Sequence, residues 1–228
     1  MSAMPATNLV GQTLTTRSGQ IPFTNPVSGN SYLAKFSAFN ASANGSSLIL
    51  IDRLWNNLVT ATTTTTEQSI NGMSTLPARD ANGSTAGYML GLAIEVYSTT
   101  GNGAAITNMW VRYTNHLGST GKIASCSSFP ATAQKGTFVP IPLQAGDLGV
   151  SAVNGIALGT SLVSGNVGIV LYRQLAQLDM PALACAATLD PVRGGLPKLY
   201  DNTVLETVLM PAGTTQTMIL GQVVVAQG

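Results

Sequence analysis

Read along the chain, apolar positions fall into short runs rich in β-branched residues, each closed by Gly, Asn, Pro or Ser. Tyr32–Phe39, Ser47–Trp55, Tyr88–Tyr97, Ile106–Tyr113, Val167–Tyr172, Val204–Met210 and Met218–Val225 are the clearest. Turn-forming clusters separate them: Asn40–Ser46, Arg79–Gly87, Thr99–Gly103, Ser164–Asn166 and Pro211–Thr215. Short strands with Gly- and Asn-rich connections mark antiparallel sheets joined by hairpins and Greek-key loops. The pattern therefore predicts an all-β protein. Gln174–Leu189 is the one stretch with helical capacity; Pro181 interrupts it, so at most a short helix is expected there.

The pattern also repeats. Ile21-Pro22 recurs 120 residues later as Ile141-Pro142. At the same spacing Gly45, Ile49, Arg53 and Leu58 meet Gly165, Ile169, Arg173 and Leu178, and Leu76-Pro77 meets Leu196-Pro197. Past residue 82 a small deletion is needed, after which Trp110–Asn115 falls opposite Gln222–Gln227 at a spacing of 112. A repeat constrains architecture before any other feature does. The expected fold is an antiparallel β-sandwich, jelly-roll-like, built from two pseudo-repeated β-units at residues 19–115 and 139–228. Residues 116–138 form a connector with a linking strand. The units can be separate sandwiches or halves of one, and the sequence leaves both open. Residues 1–18 precede the repeat, are mostly polar, and are expected to be an N-terminal arm, either clipping a neighbouring subunit or simply a frayed end.

Composition adds a constraint on the surface. Hydrophobic residues make up 45% of the 228 positions and charged ones only 8%, against roughly 25% in ordinary soluble domains. Such a surface is either wetted by neutral Ser, Thr, Asn and Gln or covered by neighbouring subunits. The net charge of +1, with basic residues scattered singly, argues against a nucleic-acid partner. No apolar stretch approaches the ~20 residues of a helical membrane span. The first residues carry neither the basic nor the apolar region of a leader.

Chemistry is sparsely provided. His116 is the only histidine and sits in a turn sequence; the nine acids are isolated. The best carboxylate pair, Asp52 and Glu95, reads as structural because Arg53 adjoins Asp52. Asp80-Ala81-Asn82-Gly83 begins like a calcium loop but lacks the downstream Glu. Cys126 and Cys185 are expected as free thiols. No enzyme activity, cofactor, metal site or small-molecule substrate is expected. The candidate functional residues are subunit contacts: Arg53 and Arg173, matched by the repeat, with Trp55 and Trp110. The alternative for the two arginines is a strand end whose side chain snorkels to water, and the two tryptophans read as core first and interface second.

The phrasing of several segments resembles structural proteins of tailed bacteriophages. These are Leu48–Trp55, Glu67–Ile70, Leu76–Gly83, Gly136–Gly149, Leu196–Asp201 and Gly221–Gly228. The resemblance implies a virion component, most closely a capsid decoration (cement) protein. Its partners would be copies of itself, as a homotrimer, and a major capsid protein. It would be made in the host cytoplasm and lie on the outer surface of the head. A tail, baseplate or connector component is the alternative within that class, and a glycan- or receptor-binding β-sandwich the alternative outside it.

Overall fold

The computed structural model describes residues 8–41, 44–59, 62–211, 213 and 218–228. Its strands are β1 (Gln12–Thr13), β2 (Ser31–Asn40), β3 (Ser46–Asn56), β4 (Glu67–Ser69), β5 (Leu90–Ser98), β6 (Met109–Asn115) and β7 (Lys122–Cys126). They continue with β8 (Phe138–Ile141), β9 (Val150–Ala157), β10 (Asn166–Met180), β11 (Cys185–Leu189), β12 (Lys198–Leu199), β13 (Leu205–Pro211) and β14 (Ile219–Gln227). One helical turn, α1 (Pro191–Gly194), completes the set; Asp190 caps it and Pro191 opens it. The pairings of β1 and β13 with β3, of β5 with β8 and β10, of β11, β12 and β14 with β2, of β4 and β6 with β9, and of β6 with β7 are antiparallel. The all-β, antiparallel sandwich expected from the pattern is what the chain forms.

The chain divides into two compact units that are discontinuous in sequence. Unit 1 holds residues 1–19 and 53–173, and unit 2 holds 20–52 and 174–228. In unit 1 one sheet contains β1, the end of β3, the first part of β10, β5 and β8; the other runs β4-β9-β6-β7. Alternate residues from each sheet make its core: Leu92, Ile94 and Val96 of β5 and Ile169 and Leu171 of β10, with Val111, Tyr113, Val153 and Ile156 from the other sheet. In unit 2 the first part of β3 pairs with β13, while β2 carries β14 along one side and β11 and β12 along the other. Its core gathers Leu33, Phe36, Leu48, Leu50, Leu178 and Met180.

The repeat is visible in the pairing itself. In unit 2, Phe36 pairs with Val223 and Leu33 with Val225, and the ladder slips between Val224 and Val225. In unit 1, Ile156 pairs with Val111 and Val153 with Tyr113, and the ladder slips between Arg112 and Tyr113. The first set becomes the second at the spacings of 120 and 112 found in the sequence. By their places in the sheets β11 on β2 answers to β4 on β9, and β13 on β3 answers to β5 on β10, with the partner strands related at spacings of 121 and 114. Each unit therefore joins the opening strands of one repeat to the closing strands of the other. The boundaries at 115 and 139 expected from the repeat are accordingly not those of the compact units, which divide at 19, 52 and 173.

Two other expectations change. Gln174–Leu189 is not helical: β10 continues through Met180, burying Leu175, Leu178 and Met180, and β11 follows after Pro181. Alternation of Leu178, Asp179 and Met180 suits a half-buried strand, and the one helical turn comes later. Of the expected arm, residues 1–7 lie outside the described residues, and the rest belongs to unit 1. Gln12 and Thr13 pair with Asn56 and Trp55, and Leu14 is buried.

Candidate functional site

Three of the four proposed subunit contacts face inward. Arg53 is 1% exposed and its Nη1 donates to Glu95 Oε2 at 2.7 Å; Arg17 approaches the same oxygen at 3.4 Å. Glu95 lies between Ile94 and Val96 but points to the opposite face, with Tyr97, whose phenol burial drives above its ordinary pKa. Arg79 donates to the carbonyls of Leu14 and Arg53, and Arg173 to that of Asp80 at 3.4 Å. Buried guanidinium groups are tolerated only where carboxylate or carbonyl oxygens replace water, and these supply them. Trp55 is fully buried, and Gly11 packs so closely on it that a Cβ there would stand 2.4 Å from the ring. Arg53, Arg173 and Trp55 thus tie unit 1 together rather than presenting a surface to another subunit.

Trp110 is the exception. It is partly exposed on the outer face of β6, flanked by Ser125 of β7 and Ala157 of β9. These small neighbours leave a groove of about 490 Å³, lined also by Thr66, Glu67, Asn108 and Gly159. Arg112, two residues on and on the same face, donates from Nε to Glu67 at 2.6 Å. An aromatic ring, an ion pair and an amide thus share one shallow surface.

Several other ionisable groups are engaged internally. Asp80 accepts from the amides of Asn82, Ser84 and Tyr88 and from the Ser84 hydroxyl. Burial alone would raise its pKa, but these bonds together outweigh burial and hold it below the ordinary value. The loop that begins like a calcium site therefore spends its carboxylate on its own backbone. Asp147 accepts from the Tyr113 hydroxyl at 2.6 Å and the Asn115 amide at 2.7 Å, which lower its pKa. Asp52 accepts from the Val204 amide. The ring of His116 stands 5.3 Å from that of Tyr88. Both cysteines are free, and burial raises the Cys126 thiol. Among the described residues no group of three potential metal ligands occurs.

The surface that stands out lies in unit 2. Leu209 and Met210 of β13 and Met218, Leu220 and Val224 on or beside β14 are exposed, Leu220 by 56%. A groove of about 430 Å³ opens between Phe36, Leu48, Leu209, Ile219 and Val223. Its cause is local. Gly221 stands where the repeat puts the fully buried Met109 in unit 1, so the inward face of β14 lacks a large side chain there. From Thr207 to Gly228 the sequence carries no charge. That run is legible in the sequence and is the signal that points to this surface; the inward arginines had a fainter one, Glu95 alone among the apolar residues of a strand. No helix among the described residues is long and apolar enough to cross a membrane. Comparison of the chain with family models, with curated proteins and with solved structures finds no match.

Proposed function

We propose that this protein is a structural subunit of a virus particle, of the capsid-decoration type, which works by burying neutral surface against copies of itself and against a shell protein. The observation that carries the reading is the uncharged apolar surface of unit 2 formed by β13 and β14. Exposed apolar patches rimmed by polar residues mark association sites in soluble proteins. The phage-like phrasing of the sequence supports the particle context. A decoration subunit binds the assembled lattice and not its separated parts, so it stabilises the shell by mass action, and many copies add through avidity. With so few charges, such contacts would weaken little as salt is raised. Immunogold labelling of particles from the source of the chain tests the reading. Label over the head is expected; label confined to the tail favours the tail-component alternative, and unlabelled particles contradict both.

The Trp110 groove favours a second reading, a glycan-binding module. Its ring offers a stacking face, and Asn108, Glu67 and Arg112 offer hydrogen bonds beside it. Glycan-array binding that Trp110→Ala abolishes is expected on this reading. No binding to any glycan on the array would remove it.

A further inference from the structure

The two units differ at one edge. In unit 1, β6 is paired on both sides: β9 lies along one, and β7 along the other, with Val111 opposite Ala124 and Trp110 opposite Ser125. Its counterpart β14 pairs with β2, and among the described residues no strand lies on its other side. β14 is nine residues long, an edge of about 30 Å of backbone at ~3.4 Å per residue. Proteins usually guard such an edge with lysine, proline or a bulge. β14 has neither lysine nor proline. The register slip at Val224/Val225 does not guard it either, because the extra residue is Ala34 of β2, as the extra residue opposite β6 is Asn154 of β9, and β6 still accepts β7 without a slip.

We infer that the open edge of β14 pairs with β14 of a second copy of this chain, antiparallel and two-fold, centred on Val223. This rests on the assembly reading above and names its contact. The repeat places Val223 where Val111 stands, at the middle of the β6–β7 ladder, so the second copy's β14 takes the place that β7 has in unit 1. The strand suits itself as a partner. Two-fold pairing about Val223 sets Gln222 opposite Val224, Gly221 opposite Val225, Leu220 opposite Ala226 and Ile219 opposite Gln227. No pair brings like charges together, which is the usual obstacle to self-pairing. A contact strip about 30 Å by 15 Å supplies roughly 450 Å² per copy from the edge alone. The exposed Leu209, which shares the groove with Ile219 and Val223, and Met218, next in the chain to Ile219, extend it toward the ~800 Å² per partner of a stable interface.

The test uses sedimentation equilibrium of the full chain and two double variants at the outward positions Gln222 and Val224. Wild type is expected to show a monomer–dimer equilibrium. Gln222→Lys with Val224→Lys sets lysine against lysine across both symmetric pairs and weakens the dimer roughly tenfold. Gln222→Glu with Val224→Lys sets glutamate against lysine in the same pairs and retains it. Both positions are exposed, and unchanged circular dichroism of the variants separates loss of pairing from loss of fold. A monomer at every concentration, a trimer, or equal weakening by both doubles overturns the pairing. A monomer that nevertheless labels the heads of particles would sink this contact and leave the decoration reading in place.

Discussion

In unit 1 the strand β6 has a neighbour on each side, whereas its counterpart β14 in unit 2 has β2 alone among the described residues. Behind β6 the segment after β7 continues inward: Phe129 bridges to Ile106 and is fully buried with Ala124, Cys126 and Ala133. Unit 2 answers with a groove. Among the described residues its main cluster has eleven buried apolar residues against twenty-six in unit 1, so cooperative stability should reside mainly in unit 1. The comparison teaches that a duplicated sandwich need not finish both copies. One copy is completed by a linking strand, and the other leaves an edge and a groove open among the described residues, which the proposed association would use.

Breaking the plug of unit 1 should have the largest effect. Phe129→Ala removes a fully buried ring and should cost about 3–5 kcal/mol, read as a fall in the urea midpoint. A smaller but more pointed contrast uses repeat-related positions. Val111→Ala should cost about 2 kcal/mol, because Val111 is fully buried. Val223→Ala in dilute protein should cost less than about 1 kcal/mol, since Val223 is only half-buried. Equal losses would mean that the two edges are closed alike.

Alkaline pH gives a third test. Tyr113 is pushed up to about 12 by burial first and by its hydrogen bond to Asp147 second. A raised native pKa favours the neutral phenol, so its contribution is fully present below the ordinary value of 10.0 and is lost as pH rises toward about 12. Tyr113→Phe should cost about 1 kcal/mol near neutrality through the lost hydrogen bonds. Its denaturation midpoint should then fall less than that of wild type across this alkaline window. The smallest effect is a gain. A Cβ at Gly221 would meet no atom closer than 3.5 Å, so Gly221→Ala should stabilise by about 0.5–1 kcal/mol. A loss in urea melts would show that the groove is less open than described.

Much of this fold could be read from the chain. Alternation located the main strands because each buries one face, and that period survives any choice of partner. The repeat was legible from Ile21-Pro22 and its match, and the pairing registers repeat it. The exchange of halves was not legible, for a physical reason. β2 presents Leu33 and Phe36 and β9 presents Val153 and Ile156, so either face could receive β6 or β14. Periodicity names a face and not the strand that will cover it. Arg53 reads as a contact or as a snorkelling strand end because strand ends look alike in sequence whether they meet water or a buried carboxylate, whereas the core reading of Trp55 is the one the structure shows. Glu95 decides the matter for Arg53, and it lies 42 residues away. Of the four contact candidates, Trp110 alone keeps an exposed face, while the uncharged stretch after Glu206 announced the surface of unit 2.

The most direct test of the open edge is hydrogen exchange of β14 and β6 followed over increasing protein concentration. The β6 amides, held between β9 and β7, should exchange slowly and at a rate independent of concentration. The β14 amides that point away from β2 should exchange fast in dilute protein and become protected as copies meet. Protection of β14 equal to that of β6 in the most dilute sample, or fast exchange that never slows, would contradict the account.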